Sequence, residues 1–380
     1  QPKSHYKCSL AHQLTYMGNY GPFKREAKSN DAQKPKVDWN ALDPVSKRLD
    51  LKNKNIRDIP NIVSQFNQLT WLNIPHNKLI ALPEALCDII SLRTLRAQGN
   101  QIEALTPSLG RLTNLTCLDL AKNQLIDVTP DIGELHNLVE LNLHWNKIKA
   151  LPVEVGKLTK LRHLNLYINR LTDFAAMEDL TALQELDLAH NKLTSLPEGL
   201  LVLENLTSLN LAGNTIDTLP PEISAFTALK HLDLQCNNIK NIPTEIGLLN
   251  LKSLKLRSNQ LSVCPDTMAN LTLLQDLYVE DNELSSLQWV GKMTKISSLF
   301  LYNNNLKLLP SSIANLEGLR ILDLSHNNFS KLPKSLGKVS SIVNLLAMNN
   351  NMKSVDPRAL AGLQSCQDLN LSHNIITVLP

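Results

Sequence analysis

The chain has 380 residues, 43% of them hydrophobic and 19% charged, and a formal net charge of +3. That balance is ordinary for a soluble folded protein, and the charge is too small to argue for nucleic acid or an anionic membrane surface. No apolar run approaches the roughly 18 residues a membrane-spanning helix needs. Length alone suggests two or three domains, but that inference fails for a chain of repeats, because a solenoid has no single core to outgrow. The six cysteines (Cys8, Cys87, Cys117, Cys236, Cys264 and Cys366) show no paired spacing. Cys264 and Cys366 stand where other repeats carry aliphatic residues, so they read as small core hydrophobes. Without clustered cysteines to close its ends, the chain is expected in a reducing, cytoplasmic compartment.

Taken from its start, the chain opens on Gln1 rather than Met, so a processed or partial chain is expected. No apolar signal-like segment follows. Residues 1–44 are polar and outside any repeat, and predict a flexible N-terminal arm and the start of a cap near Trp39–Asp43. Within the arm, Lys36-Val37-Asp38-Trp39 fits the pattern basic–aliphatic–x–aromatic. It resembles the motif by which regulators dock on the type 1 protein phosphatase catalytic subunit. That resemblance implies Lys36, Val37 and Trp39 as docking residues adding a strand to the partner. The structural alternative is that Trp39 packs under the first repeat.

From residue 45 the chain repeats itself. Aligned on L-x-x-L-x-L-x-x-N-x-L, it shows asparagines at 77, 100, 123, 146, 169, 191, 214, 237, 259, 282, 304, 327, 350 and 374, in steps of 22 to 24 residues. An earlier unit, SKRLDLKNKNIRDIP, keeps the spacing but has Lys54 at the asparagine position, as expected of an atypical terminal unit. This is the leucine-rich repeat signature, about fifteen units over 45–380. L-x-L is a short strand with its leucines on the inward face. The asparagine can satisfy backbone groups in the turn that follows. Leu-Pro opens a return segment with a helical turn or short helix. The predicted fold is an α/β solenoid: a horseshoe with a parallel concave β-sheet and short helices or turns on the convex side. Fifteen strands spaced about 4.8 Å apart give an arc of roughly 70 Å.

In L-x-x-L-x-L-x-x-N the third, fifth, seventh and eighth positions project from the concave sheet. Asp, Asn, Ser and Thr recur there, and the fifth position is mostly Asp or Asn. Two places differ. In the fifth and sixth repeats His144 shares a column with Tyr167 and Trp145 shares one with Ile168, with His163 nearby. In the tenth to twelfth repeats one column reads Lys255, Tyr278, Phe300 and its neighbour Arg257, Glu280, Tyr302. Exposed aromatics mixed with Arg have the composition of binding hot spots. Cross-strand stacking that merely stabilises the sheet is the alternative. Seven of the ten histidines (76, 144, 163, 190, 231, 326 and 373) flank strands on this face, scattered and without a cysteine cluster, so no metal or other cofactor is expected. No catalytic motif is present, and no enzyme activity is expected. Five N-x-S/T sequons, at Asn114, Asn205, Asn270, Asn328 and Asn370, all overlap the repeat consensus and read as its by-products.

Two junctions, 171–184 and 284–297, lack the proline. There the return segment is expected to begin differently, with a local change of curvature and Trp289 on the outer side. The chain stops at Leu379–Pro380 in mid-repeat. Because solenoid ends need polar caps, the natural protein is expected to continue beyond it.

The fuller unit, seen as LPVEVGKLTKLRHLNLYINRL (151–171) and LPPEISAFTALKHLDLQCNNI (219–239), resembles the intracellular Ras-group leucine-rich repeat proteins, such as the Ras–Raf scaffold and the Ras suppressor. The resemblance covers about 45–380. It implies a scaffold in intracellular signalling whose protein partner is a small GTPase or a phosphatase catalytic subunit. Its consensus letters encode fold rather than partner. The expected function is therefore a non-catalytic adaptor holding a folded protein on its concave face. The rivals are the recognition region of a larger cyclase, phosphatase or kinase, and a receptor ectodomain.

Overall fold

The computed structural model of the protein describes residues 37–174 and 179–377. Lys36 and residues 175–178 of the first proline-free junction lie outside the described residues. Fifteen three-residue strands, from β1 (Arg48–Asp50) to β15 (Asp368–Asn370), form one parallel sheet in strict chain order. Each central leucine pairs with its counterpart one turn on, as Leu164 does with Leu186 and Leu277 with Leu299. From β1 to the strand Asn344–Leu346 the apolar residues at both leucine positions of L-x-L are buried, so the core is one continuous column.

The return segments are mostly five-residue 3-10 turns, such as Val153–Lys157, Thr244–Leu248 and Ser311–Asn315. Among the described residues, four-residue α-helices occur at Glu84–Cys87 and Pro357–Leu360. Proline sets up these turns by holding extended backbone just before them, as Pro152 does at φ −69°, ψ 148°. Neighbouring turns touch closely. A Cβ added to Gly133 would lie 2.7 Å from the Glu154 carbonyl oxygen, so a larger residue there would push two turns apart. Turns and strands together are wider than strands alone, which leaves the sheet on the concave side.

The ladder asparagine joins each turn to the one before it. Asn214 Oδ1 accepts from the Leu193 N–H at 3.0 Å. Its Nδ2 donates to the Leu188 carbonyl at 3.1 Å and the Leu211 carbonyl at 2.9 Å. Asn77 does the same for the first turn, accepting from the N–H groups of both Lys54 and Ile56. The side chain acts backwards along the chain, so the first unit does without an asparagine of its own.

The residue before each ladder asparagine is left-handed. Every position from His76 to His373 in this lane has φ between 51° and 69°, with glycine at Gly99 and Gly213. Four of the concave-face histidines (His76, His190, His326 and His373) sit here, in the turn after the strand. Ile168 does too, at φ 52°, and a β-branched residue is strained in that region.

At the second proline-free junction the expected difference is present. The 3-10 turn Val290–Lys292 is three residues long, and Trp289 precedes it in a helical conformation where Pro310 of the next unit is extended. Trp289 is only 4% exposed and belongs to the core beneath the convex turns, rather than sitting over their outer surface. Sheet pairing runs through both junctions with a 22-residue step, His163 opposite Glu185 and Asp276 opposite Ser298. At the N-terminal end the turn Trp39–Ala41 is capped by Asp38, whose carboxylate accepts from the Asn40 N–H.

Two outcomes are expected. Asn214→Ala removes two bonds to the preceding turn and one within its own, strands buried backbone groups, and should cost about 2–4 kcal/mol in urea unfolding. Ile168→Asn should stabilise the chain by about 1 kcal/mol in the same assay, because asparagine tolerates the left-handed backbone.

Candidate protein-binding face

The fifth position of the repeat has a structural job. In nine turns it is Asp or Asn, and its side-chain oxygen accepts from the backbone N–H two residues on, as Asn165 does from Tyr167 and Asp323 from Ser325. In three consecutive strands, β10 (Ser253–Lys255), β11 (Asp276–Tyr278) and β12 (Ser298–Phe300), that residue is Lys255, Tyr278 and Phe300. None of these side chains can accept that bond in the same way. The three lie in direct register. The Tyr278 and Phe300 rings stack at 4.8 Å between centroids and 9° between planes. Both are half-buried, so they form a flat apolar shelf with one face toward the groove.

Ionic contacts hold the edges of this shelf. Lys255 Nζ lies 3.0 Å from Asp233 Oδ2 and 6.0 Å from the Tyr278 ring centroid. Arg257 Nε donates to Asp281 Oδ2 at 3.0 Å, and Asn303 Nδ2 donates to the other Asp281 oxygen at 2.9 Å. Tyr302 rests against His326 at 4.7 Å between centroids. Preorganised side chains lose little entropy when a partner lands on them. Between Arg257 and Tyr302 lies Glu280, 6% exposed, whose Oε2 has no hydrogen-bond partner. Burial is the main cause that pushes its pKa up to about 7, and Asp281 and Asp323 add to the rise. Its own N–H and Arg257 oppose it.

The first patch is looser. His144 Nδ1 lies 2.8 Å from Asn142 Oδ1, and burial, with Lys122 nearby, lowers its pKa to about 4. Tyr167 lies between His144, at 6.5 Å, and His190, at 5.3 Å edge-on. Trp145 is 36% exposed, with Lys122 Nζ 5.7 Å from its ring. His163 is on the next column, with Nδ1 3.1 Å from Glu185 Oε2. The sequence columns therefore come together as two patches in different turns. What the columns missed is that His190 and His326 complete the aromatic rows. Each follows its tyrosine by one turn, in the adjacent lane.

Val37 and Trp39 are half-buried against the core of the first turns. Docking as an added strand would have to release both side chains. Among the described residues no group of three or more His, Cys, Asp or Glu is arranged to hold a metal, and no helix is long and apolar enough to cross a membrane. None of the five described cysteines is in a disulfide. Cys264 is buried in the core as expected, and burial pushes the thiols of Cys87 and Cys264 up to about 12. Cys366 is only half-buried.

Repeat, turn and ladder together define a class, and comparison agrees. The family described as leucine-rich repeat region matches residues 48–174 and 106–212, and further leucine-rich repeat families match 204–248, 227–284 and 318–339. A leucine-rich repeat protein of Leptospira interrogans is 30% identical, with a TM-score of 0.75, over 88% of this chain and 92% of that one. The chain belongs to the leucine-rich repeat family. The ectodomain of the Arabidopsis thaliana receptor kinase GASSHO1/SCHENGEN3, solved with CASPARIAN STRIP INTEGRITY FACTOR 2, is also 30% identical at a TM-score of 0.75. That match covers 86% of this chain and 41% of the ectodomain. The plant peptide hormone receptor RGFR1, solved with RGF2, is 26% identical at a TM-score of 0.69, over 83% of this chain and 57% of the receptor. No curated protein matches the chain significantly.

Glu280 provides a pH test. Its folded pKa is about 7 against an ordinary 4.5. The folded state therefore holds the proton more tightly, and stability falls as pH rises through that window. Glu280→Gln should be more stable than the parent by about 2 kcal/mol at pH 8, and nearly equal to it at pH 4.5. Urea unfolding of both proteins at the two pH values measures the difference.

Proposed function

We propose that this chain is a non-catalytic scaffold that holds a folded protein partner on its concave face. The principal contact is the shelf of Lys255, Arg257, Tyr278, Phe300 and Tyr302, and the patch of His144, Trp145, His163 and Tyr167 is a second contact. One observation carries the reading. Three adjacent turns replace the Asp or Asn that bonds the backbone in nine others with an outward-facing row of large side chains, two of them stacked. A sheet selected for stability alone would keep the local bond; large half-exposed aromatics beside Arg suit the centre of an interface. The setting we propose is intracellular signalling. The likeness of the repeat to the Ras group supports it, as does the lack of any disulfide among the described cysteines. In that setting a small GTPase or a phosphatase catalytic subunit is the natural kind of partner.

A second reading is supported by the receptor structures solved with CASPARIAN STRIP INTEGRITY FACTOR 2 and with RGF2. On that reading the same face receives an extended peptide, and the chain serves as the recognition region of a receptor.

Replacing Tyr278, Phe300 and Tyr302 together by alanine separates binding from folding. The loss of the stack should cost about 1–2 kcal/mol of stability, and the far-ultraviolet circular dichroism spectrum should be unchanged. Capture of partners from cell extract by the immobilised chain should drop at least tenfold, as expected when hot-spot residues are removed. Undiminished capture would eliminate the shelf as the contact, and the molecular mass of what is captured separates folded protein from peptide.

A further inference from the structure

The residue following each ladder asparagine forms a lane along one rim of the concave face. Backbone bonding keeps the lane in register: the N–H of Lys147 bonds the Leu125 carbonyl, that of Arg170 the Ile148 carbonyl, and that of Lys192 the Leu171 carbonyl. In most other turns the lane carries neutral amides or hydroxyls, among them Gln124, Thr215, Asn238 and Gln260. The turn therefore has no need of a cation there. Yet three consecutive turns place Lys147, Arg170 and Lys192 side by side, about one strand spacing apart. Like charges opposite one another are destabilising.

Among the described residues no carboxylate forms an ion pair with them. Across these turns the flanking lanes hold Trp145, Ile168 and His190 on the concave side, with Lys122 one turn before, and Lys149, Thr172 and Thr194 on the other, with no Asp or Glu in any of them. Arg170 and Lys192 are exposed and make no ion pair among the described residues; Lys147 reaches only a neutral partner, Gln124 Oε1, at 3.0 Å. Compare the shelf of the tenth to twelfth turns, where Lys255 and Arg257 each bond an aspartate of the same face. On this face cations are neutralised in one place and left open in another. Next to the open ones stands Trp145, the most exposed aromatic of the concave patches.

We infer that this rim is a docking site for an acidic polypeptide segment, whose carboxylates lie along Lys147, Arg170 and Lys192 while an apolar side chain rests on Trp145 and Ile168. This deepens the proposed protein-binding role by assigning charge to what meets the first patch. A polypeptide is favoured over nucleic acid because the charged strip is short, is bordered by apolar side chains, and belongs to a chain of net charge only +3.

The test uses the full chain and a fluorescein-labelled twelve-residue peptide of glutamates interspersed with leucine and phenylalanine, read by anisotropy. Controls are the same peptide with lysine for glutamate and a single-stranded DNA of equal length. The acidic peptide should bind at least tenfold more tightly than either control, and its affinity should fall as salt rises. Lys147→Gln, Arg170→Gln and Lys192→Gln together should weaken it about tenfold, with the melting temperature held or raised because the repulsion is gone. Trp145→Ala should weaken it several-fold. Replacing Tyr278, Phe300 and Tyr302 by alanine should leave it unchanged, so failure of the rim and failure of the shelf are read separately. Absent binding, equal binding by the triple glutamine variant, or equal binding of acidic and basic peptides would overturn the inference. Tighter binding of the DNA would overturn it in favour of a nucleic-acid surface.

Discussion

After three residues of strand the chain must turn sharply within its own thickness, and every such turn buries backbone N–H and carbonyl groups between two leucine layers. Water cannot reach them, and an unpaired buried backbone group costs about as much as a lost hydrogen bond. The ladder asparagine resolves this at each turn. It is short and carries both an acceptor and a two-proton donor, so a single side chain serves an N–H and two carbonyls spread over two turns. Leucine columns make the stack cohesive, but they would tolerate slippage. The asparagine bonds fix how far each turn advances on the last, and with it the register of the sheet.

The concave face inherits its order from that constraint. Because each strand pairs in strict register with its neighbours, any residue type repeated at one position becomes a lane of side chains about one strand spacing apart. Lanes amplify small differences. Two adjacent aromatics become a stacked shelf, as Tyr278 and Phe300 do. Three adjacent cations become a strip of unrelieved charge. The fold is indifferent to most of these choices, and this separates specificity from stability.

The separation is not complete. The left-handed lane constrains which residues sit beside the ladder, and Ile168 is tolerated there at a strain. Glu280 is buried without a partner for one oxygen and raised toward neutrality. Both departures lie in or beside the patches proposed to bind. Local disadvantage of this kind is where function tends to be found, since a residue kept against stability is kept for something else.

The repeat period, the strand positions, the inward leucines, the fifteen-turn solenoid and the two aromatic patches were all legible in the letters, because each depends on periodicity and local chemistry that recurs in every unit. The short string at Val37–Trp39 is a different case: its letters do not say what its side chains touch, and packing places Val37 and Trp39 against the core. Other properties belonged to the assembled molecule alone. Trp289, in helical backbone before a shortened turn, lies in the core, the histidines at 190 and 326 join the aromatic rows by reaching across a turn, and Glu280 is buried among its neighbours. Sequence determines what a position repeats; only the stacked turns decide what lies beside it, because burial and pairing arise between residues 22 or 23 apart whose contact exists solely in the fold.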